Sequence, residues 1–450
     1  MGARSGSNYL STLKKLNAEI WLGGERVGEV TSHPAFRDCA RSIASLYDMQ
    51  LERVEQMTFR TDDGGRSGLS FIQPKSIDEL RKRSRMMAAW ANFSGGMMFR
   101  TPDYLNVALA AMASARDFFA ASDPRYGDNI ANYYLEARKH DWCATLTSIG
   151  PGTTFAKTND GIVVKGTGSS APLAPFAEEL LVFPSTPLNL EHAAIVFAIP
   201  SNTKGVRFIF RDDDALRINA ARSHFGAPLA SLFDVTDCPV IFDAVLVPWQ
   251  RVFLCDDPAR CDSLLDDTSA RTHMLHQTAV KNLAKAEFIL GLAGRIVEIT
   301  GTSGANIGSR VWLAEIINAT EQVRSCLRIA EADATADRSA TMTPSRAPLF
   351  ASRSLHWSVS IAMIQIVQTM AGTDDITPSA SQPEPTDPIE RERAALHRIA
   401  WDAIASPFAK SQVEFERAHG DSLHMAGDSL EVGDLAPYIE RIKEFLTRIG

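Results

Sequence analysis

The chain has 450 residues, 45% hydrophobic and 22% charged, a composition that excludes wholesale disorder and points to two or three packed units rather than one core. Its net charge of −8 comes with scattered basic residues, which excludes the sustained positive stripe a nucleic-acid partner requires. No window approaches the roughly 18 apolar residues of a membrane-spanning helix. The polar N-terminus lacks the core of a secretory signal, and the six cysteines form no CxxC pair, so a cytoplasmic protein with reduced, mostly buried thiols is expected.

Residues 1 to about 141 read mainly as helix. The stretch Ile77 to Phe93 mixes Glu79, Arg81, Lys82 and Arg83 with Leu80, Met86, Met87 and Trp90, an amphipathic pattern, while Pro34 and Pro74 separate it from its neighbours. Gly95 and Gly96 mark a turn before a helix starting near Thr101. Between 142 and 266 the pattern changes to short β-branched and aromatic runs: Ile162 to Lys165, Leu180 to Phe183, Ala194 to Ile199 and Val206 to Phe210. The turn residues between them, such as Asn159-Asp160-Gly161, favour a compact antiparallel β domain. From 267 to 450 helical periodicity returns, with long segments at 275–300, 307–336, 351–371 and 389–417 that suggest a four-helix bundle. The proline-rich stretch 373–388 reads as an exposed loop. The order of helices, β domain and bundle lacks the strand-helix alternation of a parallel-sheet fold.

There is no GxGxxG after a strand, no GxxxxGK[ST], no HExxH and no GxSxG, so the common motif-borne chemistries are unsupported. His273 and His276, three apart on one helix, come nearest to a metal site but lack a matching ligand set, and no metal is expected. The most specific local feature is Arg100-Thr101-Pro102-Asp103-Tyr104. Thr101 is expected to cap a helix that begins at Pro102. Arg100 and Tyr104 then lie one turn apart, where a guanidinium and a phenol can converge on an oxyanion or phenolate. A surface arginine beside a half-buried tyrosine is the competing explanation. A second segment, Asp141 to Gly152, lies at the helix-to-strand transition and offers small polar groups to a ligand. Cys143 within it has no neighbour that would lower its pKa, so a nucleophilic role is not expected.

Five ordered matches make the chain resemble the 4-hydroxyphenylacetate 3-hydroxylase family along nearly its whole length. They are Tyr9-Leu10 with Gly24-Glu25-Arg26-Val27 and Ser32-His33-Pro34-Ala35-Phe36; Arg100 to Tyr104; Phe242-Asp243, Val247-Pro248-Trp249 and Arg251-Val252-Phe253; Lys285-Ala286-Glu287-Phe288 with Gly291-Leu292-Ala293; and Trp401-Asp402, Ser406 to Phe408, Glu416-Arg417 and Gly420-Asp421. The resemblance implies an acyl-CoA dehydrogenase-like fold: an N-terminal helical domain (1–141), a middle antiparallel β-barrel domain (142–266) and a C-terminal four-helix bundle (267–450). It implies a homotetramer, with a dimer as the alternative, that receives FADH2 from a separate flavin reductase. With O2 as co-substrate, such an enzyme hydroxylates an electron-rich, typically aromatic small molecule through a flavin hydroperoxide. By the family's motif, Arg100 and Tyr104 hold the phenol oxygen as the catalytic pair, and Thr145, Leu146, Ser148, Pro151, Gly152, Pro172 and Lys281 fall on cofactor-binding positions.

Several of those positions depart from the family's pattern. Leu146 stands where the family usually has histidine, Gly152 where it has glutamine, Pro172 where it has a flavin-contacting threonine, and Lys281 where it has arginine. Ala409-Lys410 replaces a Gly-Arg pair. Leucine cannot donate, accept or carry a proton. Two alternatives therefore stand beside the monooxygenase: an enzyme of the same fold catalysing a non-redox cyclisation or elimination, and a scaffold subunit that has lost flavin. The related iron–sulfur dehydratase branch places cysteines before the arginine segment, where this chain has Met97, Met98 and Phe99.

Overall fold

A computed structural model of the chain describes residues 2–62, 64–185, 188, 193–211, 227–235, 237–299, 307–371 and 386–418. In the front part, α1 (Gly6–Leu16) starts where the Ser5 hydroxyl accepts the Asn8 N–H and ends in the left-handed Asn17, φ 50°. The helix α2 (Arg37–Glu52) follows the short strands β1 (Ile20–Leu22) and β2 (Glu25–Val27). Ser76 caps α3 (Ile77–Phe93) by accepting the Glu79 N–H, while the Glu79 carboxylate turns back to accept the Lys75 N–H at 2.6 Å. One expectation for α3 fails: Arg83, read with the charged residues of the helix, is fully buried. The helices α4 (Asp103–Ser114) and α5 (Pro124–His140) complete this part.

The strands are β3 (Ala144–Ile149), β4 (Thr154–Lys157), β5 (Gly161–Gly168), β6 (Glu179–Pro184), β7 (Ile195–Pro200), β8 (Val206–Ile209), β9 (Val240–Pro248) and β10 (Val252–Cys255). They join β1 and β2 in one ten-stranded sheet, ordered β10-β7-β6-β3-β5-β9-β8-β1-β2, with β4 beside β5. The expected antiparallel arrangement is corrected in two places, because β3 runs parallel to β6 (Thr145 opposite Leu180) and β1 parallel to β8 (Ile20 opposite Phe208). Each parallel pair is joined by a long excursion of chain, which is what parallel pairing demands. Gly168 is required where it stands: a Cβ there would lie 2.3 Å from the Thr147 hydroxyl.

Two helices, α6 (Pro258–Asp267) and α7 (Ala270–Ile299), lead into the bundle of α8 (Ile307–Ala332), α9 (Arg346–Ala371), α10 (Pro388–Ile404) and α11 (Pro407–Ala418). The single helix expected over 389–417 is two. Pro407 cannot donate to the turn before it, and the Ser406 hydroxyl instead accepts the Ala409 N–H at 3.1 Å, opening a new helix. Most of the loop expected at 373–388 and the Gly420-Asp421 match lie outside the described residues. Asp141, φ 53°, is the C-cap of α5, and Asp267 is the last residue of α6.

The 30-residue α7 organises the molecule, packing on α3 and α4 of the front part and on α8, α9 and α10 of the bundle. Its mixed surface follows from this: nearly every turn is buried on more than one side, so apolar residues are not confined to one stripe. The main core joins front helices and sheet through large side chains whose polar ends are satisfied. Tyr9 donates to the Phe176 carbonyl, Trp90 to that of Leu46 and Tyr134 to that of Phe71.

Candidate active site

The chain reaches the Arg100 segment through a turn that only glycine permits. Gly95 and Gly96 both have positive φ, and a Cβ on Gly96 would lie 2.6 Å from the Lys285 backbone nitrogen of α7. Gln412 of α11 then holds the Met97 carbonyl at 2.6 Å and accepts the Lys285 ammonium at 2.9 Å. The segment is thus seated against two helices before Arg100 begins.

Arg100 is buried, 8% exposed, and its guanidinium carbon lies 3.9 Å from the centre of the Tyr104 ring. One of its N–H groups donates to the Phe99 carbonyl at 2.9 Å. The pair therefore converges as expected, stacked face to cation. The expected cap does not form: Thr101 supplies no side-chain bond to a backbone amide, and its hydroxyl donates to the Asp103 carboxylate instead. Gln277 of α7 adds its amide N–H groups, 3.2 Å from the Thr101 hydroxyl and 3.3 Å from each Asp103 oxygen. Burial pushes the Asp103 carboxyl up to about 6, against the pull of the Thr101 and Gln277 bonds and the Asp103 and Tyr104 backbone amides.

On β3 the side chains alternate. Leu146 and Ser148 face a cavity of about 260 Å³, walled also by Phe183, Leu264, Leu265 and Met274, with Ser185, Asp262 and Arg271 among its polar residues. Thr145 points the other way, where its hydroxyl donates to the Pro172 carbonyl. Pro151 and Gly152 are exposed at the turn after β3, and Lys281 is buried on α7. Of the seven positions expected to contact cofactor, the cavity gathers only Leu146 and Ser148. Met274, Gln277 and Lys281 recur at helical spacing on α7, so the cavity wall and the Arg100 segment lie about one turn apart along a single helix.

The sequence reading missed Gln277, Met274, Phe183 and the α6 leucines. The spacing of 274, 277 and 281 was the one available signal, and nothing in it separates a site from ordinary core. The two histidines belong to a neighbouring network. His273 meets Arg83 at 2.7 Å and His276 meets Glu331 at 3.1 Å. Burial pushes both imidazoles below their ordinary value and brings the Arg83 guanidinium down to about 9. Cys143 is buried, and burial raises its thiol pKa, away from nucleophilic use.

Residues 5–154 and 153–254 match the family described as 4-hydroxyphenylacetate 3-hydroxylase N terminal, and residues 261–380 match its C-terminal counterpart. The chain belongs to the 4-hydroxyphenylacetate 3-hydroxylase family. Within it, the chain is 36% identical to the 4-hydroxyphenylacetate 3-monooxygenase oxygenase component of Geobacillus sp. (strain PA-9), covering 99% of this chain and 97% of that one. It is 34% identical to the oxygenase component of Thermus thermophilus over the same shares. The crystal structure of an oxygenase component complexed with FAD and 4-hydroxyphenylacetate superposes with a TM-score of 0.90 at 32% identity, covering 99% of both chains. An archaeal 4-hydroxybutyryl-CoA dehydratase at 16% identity and a TM-score of 0.83 shares the fold. The acyl-CoA dehydrogenase-like architecture expected of the family is the one observed.

Proposed function

We propose that this chain is the FADH2-dependent oxygenase component of a two-component monooxygenase, hydroxylating a phenol or a similarly electron-rich aromatic with O2 and taking reduced flavin from a separate reductase. The observation that carries this reading is a buried guanidinium stacked at 3.9 Å on a tyrosine, in a segment that Gln277 of α7 holds about one turn from Met274 of an apolar cavity. The cavity, just below the roughly 300–1,000 Å³ usual for small-molecule sites, is lined mainly by apolar side chains with a few polar groups, which suits a ring system.

The cavity residues fit a flavin ring: Leu146, Phe183 and Met274 supply apolar faces, and Ser148, Ser185 and Arg271 supply hydrogen-bonding groups among the lining residues. The chemistry supplied by bound reduced FAD is the two-electron reduction of O2, with one oxygen atom passing to the ring and the other leaving as water. The chain's own residues do the rest. The Arg100 guanidinium and the Tyr104 hydroxyl donate to the phenolic oxygen and favour its ionised form, which enriches the ring ortho to it. Leu146, Leu264 and Leu265 keep water from the reacting centre. Leu146 holds no proton, so recognition of the phenolic oxygen falls on Arg100 and Tyr104 alone among the residues proposed for it.

The large apolar side chains exposed on the bundle, Val311 and Ile317 of α8 and Ile361 of α9, support a homotetramer assembled through this part, with a dimer as the alternative. No helix among the described residues is long and apolar enough to cross a membrane, in keeping with a cytoplasmic location. The test is turnover of a panel of phenols by the purified chain with FAD, NADH and a flavin reductase, scored for hydroxylated product. Product from at least one phenol is expected. Failure to bind either redox form of FAD would instead support the scaffold, and binding without oxygen incorporation the non-redox enzyme.

A further inference from the structure

We propose that Thr101, Asp103 and Gln277 form a buried positioning clamp that sets Arg100 against Tyr104 for the phenolic oxygen, an inference that rests on the phenol-binding reading of that pair. The clamp spans two elements. Thr101 and Asp103 flank Pro102 at the start of α4, between Arg100 and Tyr104 in sequence, so fixing both leaves the chain between the two functional side chains little freedom. Gln277 comes from α7, and its single amide nitrogen lies within 3.3 Å of three oxygens, those of Thr101 and both of Asp103.

The orientation of that amide is informative. Among the described residues its carbonyl oxygen is buried with no hydrogen-bond partner, a costly state for an acceptor. Turning the amide over would place that carbonyl against the Asp103 carboxylate, so the charge of Asp103 dictates which end faces the clamp. A glutamine retained only to fill space would be better replaced by leucine or methionine, which leave nothing orphaned. Asp103 is itself fully buried, and the bonds that reach it come from neutral donors.

The consequence is a fixed register. Met274, one turn before Gln277 on the same face of α7, is a wall of the cavity, so the clamp ties the residues proposed to hold the phenolic oxygen to the wall proposed for the flavin ring. Oxygen transfer to one ring carbon needs such a register, because a displacement of about 1 Å can cost roughly 10²-fold in rate.

The test uses the full-length chain without added flavin, titrated with 4-nitrophenol, whose visible absorbance reports its ionisation. Wild type is expected to bind it and shift it toward the phenolate. Gln277→Leu and Thr101→Val are expected to bind about tenfold more weakly and to lose the phenolate band, whereas Thr101→Ser, which keeps the hydroxyl, behaves as wild type. In the reconstituted enzyme the same two variants lower the share of reduced flavin that ends as hydroxylated product. Wild-type affinity and phenolate band in both variants would overturn the clamp while leaving the phenol reading intact, as would lowered thermal stability with the band unchanged. If Gln277→Leu does not fold, the contrast between Thr101→Val and Thr101→Ser decides alone. A wild-type chain that neither binds nor ionises the phenol overturns the phenol reading, and the clamp with it.

Discussion

The two ends of the candidate site are built from opposite materials. Around Arg100 the chain is held by polar groups in series: the Met97 carbonyl on Gln412, Thr101 on Asp103, and both on Gln277. Around β3 and α6 the apolar part of the wall is leucine, phenylalanine and methionine, with Leu146 among them. Polar networks in a buried setting specify one geometry but lose much when any member is removed. Apolar walls tolerate exchange of similar volume with small loss. The anchor end is therefore the part of this site more sensitive to substitution, and the cavity end the part more tolerant of it.

The largest effect that would break this contrast concerns the anchor. Arg100→Ala should lower hydroxylation by about 10²–10³-fold, and Tyr104→Phe by a smaller factor, with the oligomer unchanged in light scattering. Full activity in both variants would mean that the site lies elsewhere.

A second prediction sharpens the contrast through pH. The folded-state pKa of Asp103, about 6, lies above its ordinary 3.8, so between these values the folded chain keeps a proton that the unfolded chain has lost. The contribution of this carboxyl to stability is thus full below about pH 4 and falls as pH rises to about 6, by on the order of 3 kcal/mol. Urea titrations of wild type and Asp103→Asn should show wild type losing ground to the variant between about pH 4 and about pH 6. A difference independent of pH would remove the buried-carboxyl account.

The smallest effect is expected at the cavity. Leu146→His places an imidazole at the cavity wall, where Leu146 is only partly buried, so the soluble yield and melting temperature should stay near wild type, within about 1 kcal/mol. Aggregation of this variant would show that position 146 is a packing site, and the two ends would then be alike.

Much of the local structure was legible in the sequence because its causes are local. The α3 helix, Ile77–Phe93, follows from its periodicity and from the Ser76 cap, and the Gly95-Gly96 turn follows from two residues that alone tolerate positive φ there. The break before α11 was legible too, in Ser406-Pro407, but a continuous apolar pattern concealed it. At the candidate site, the spacing of Arg100 and Tyr104 allowed their convergence and left a surface arginine as the alternative. The cavity could not be read from spacing, since it is assembled from β3, β6, α6 and α7.

By itself, then, the sequence determined the order of helices, strands and bundle. Hydrogen bonding between near neighbours and the period of apolar residues suffice for these. Only the tertiary structure decided that β3 lies parallel to β6, that Arg83 is buried, and that Gln277 reaches Asp103 across 174 residues of chain. Such pairings depend on which surfaces meet once the local elements exist, and no spacing along the chain encodes that meeting.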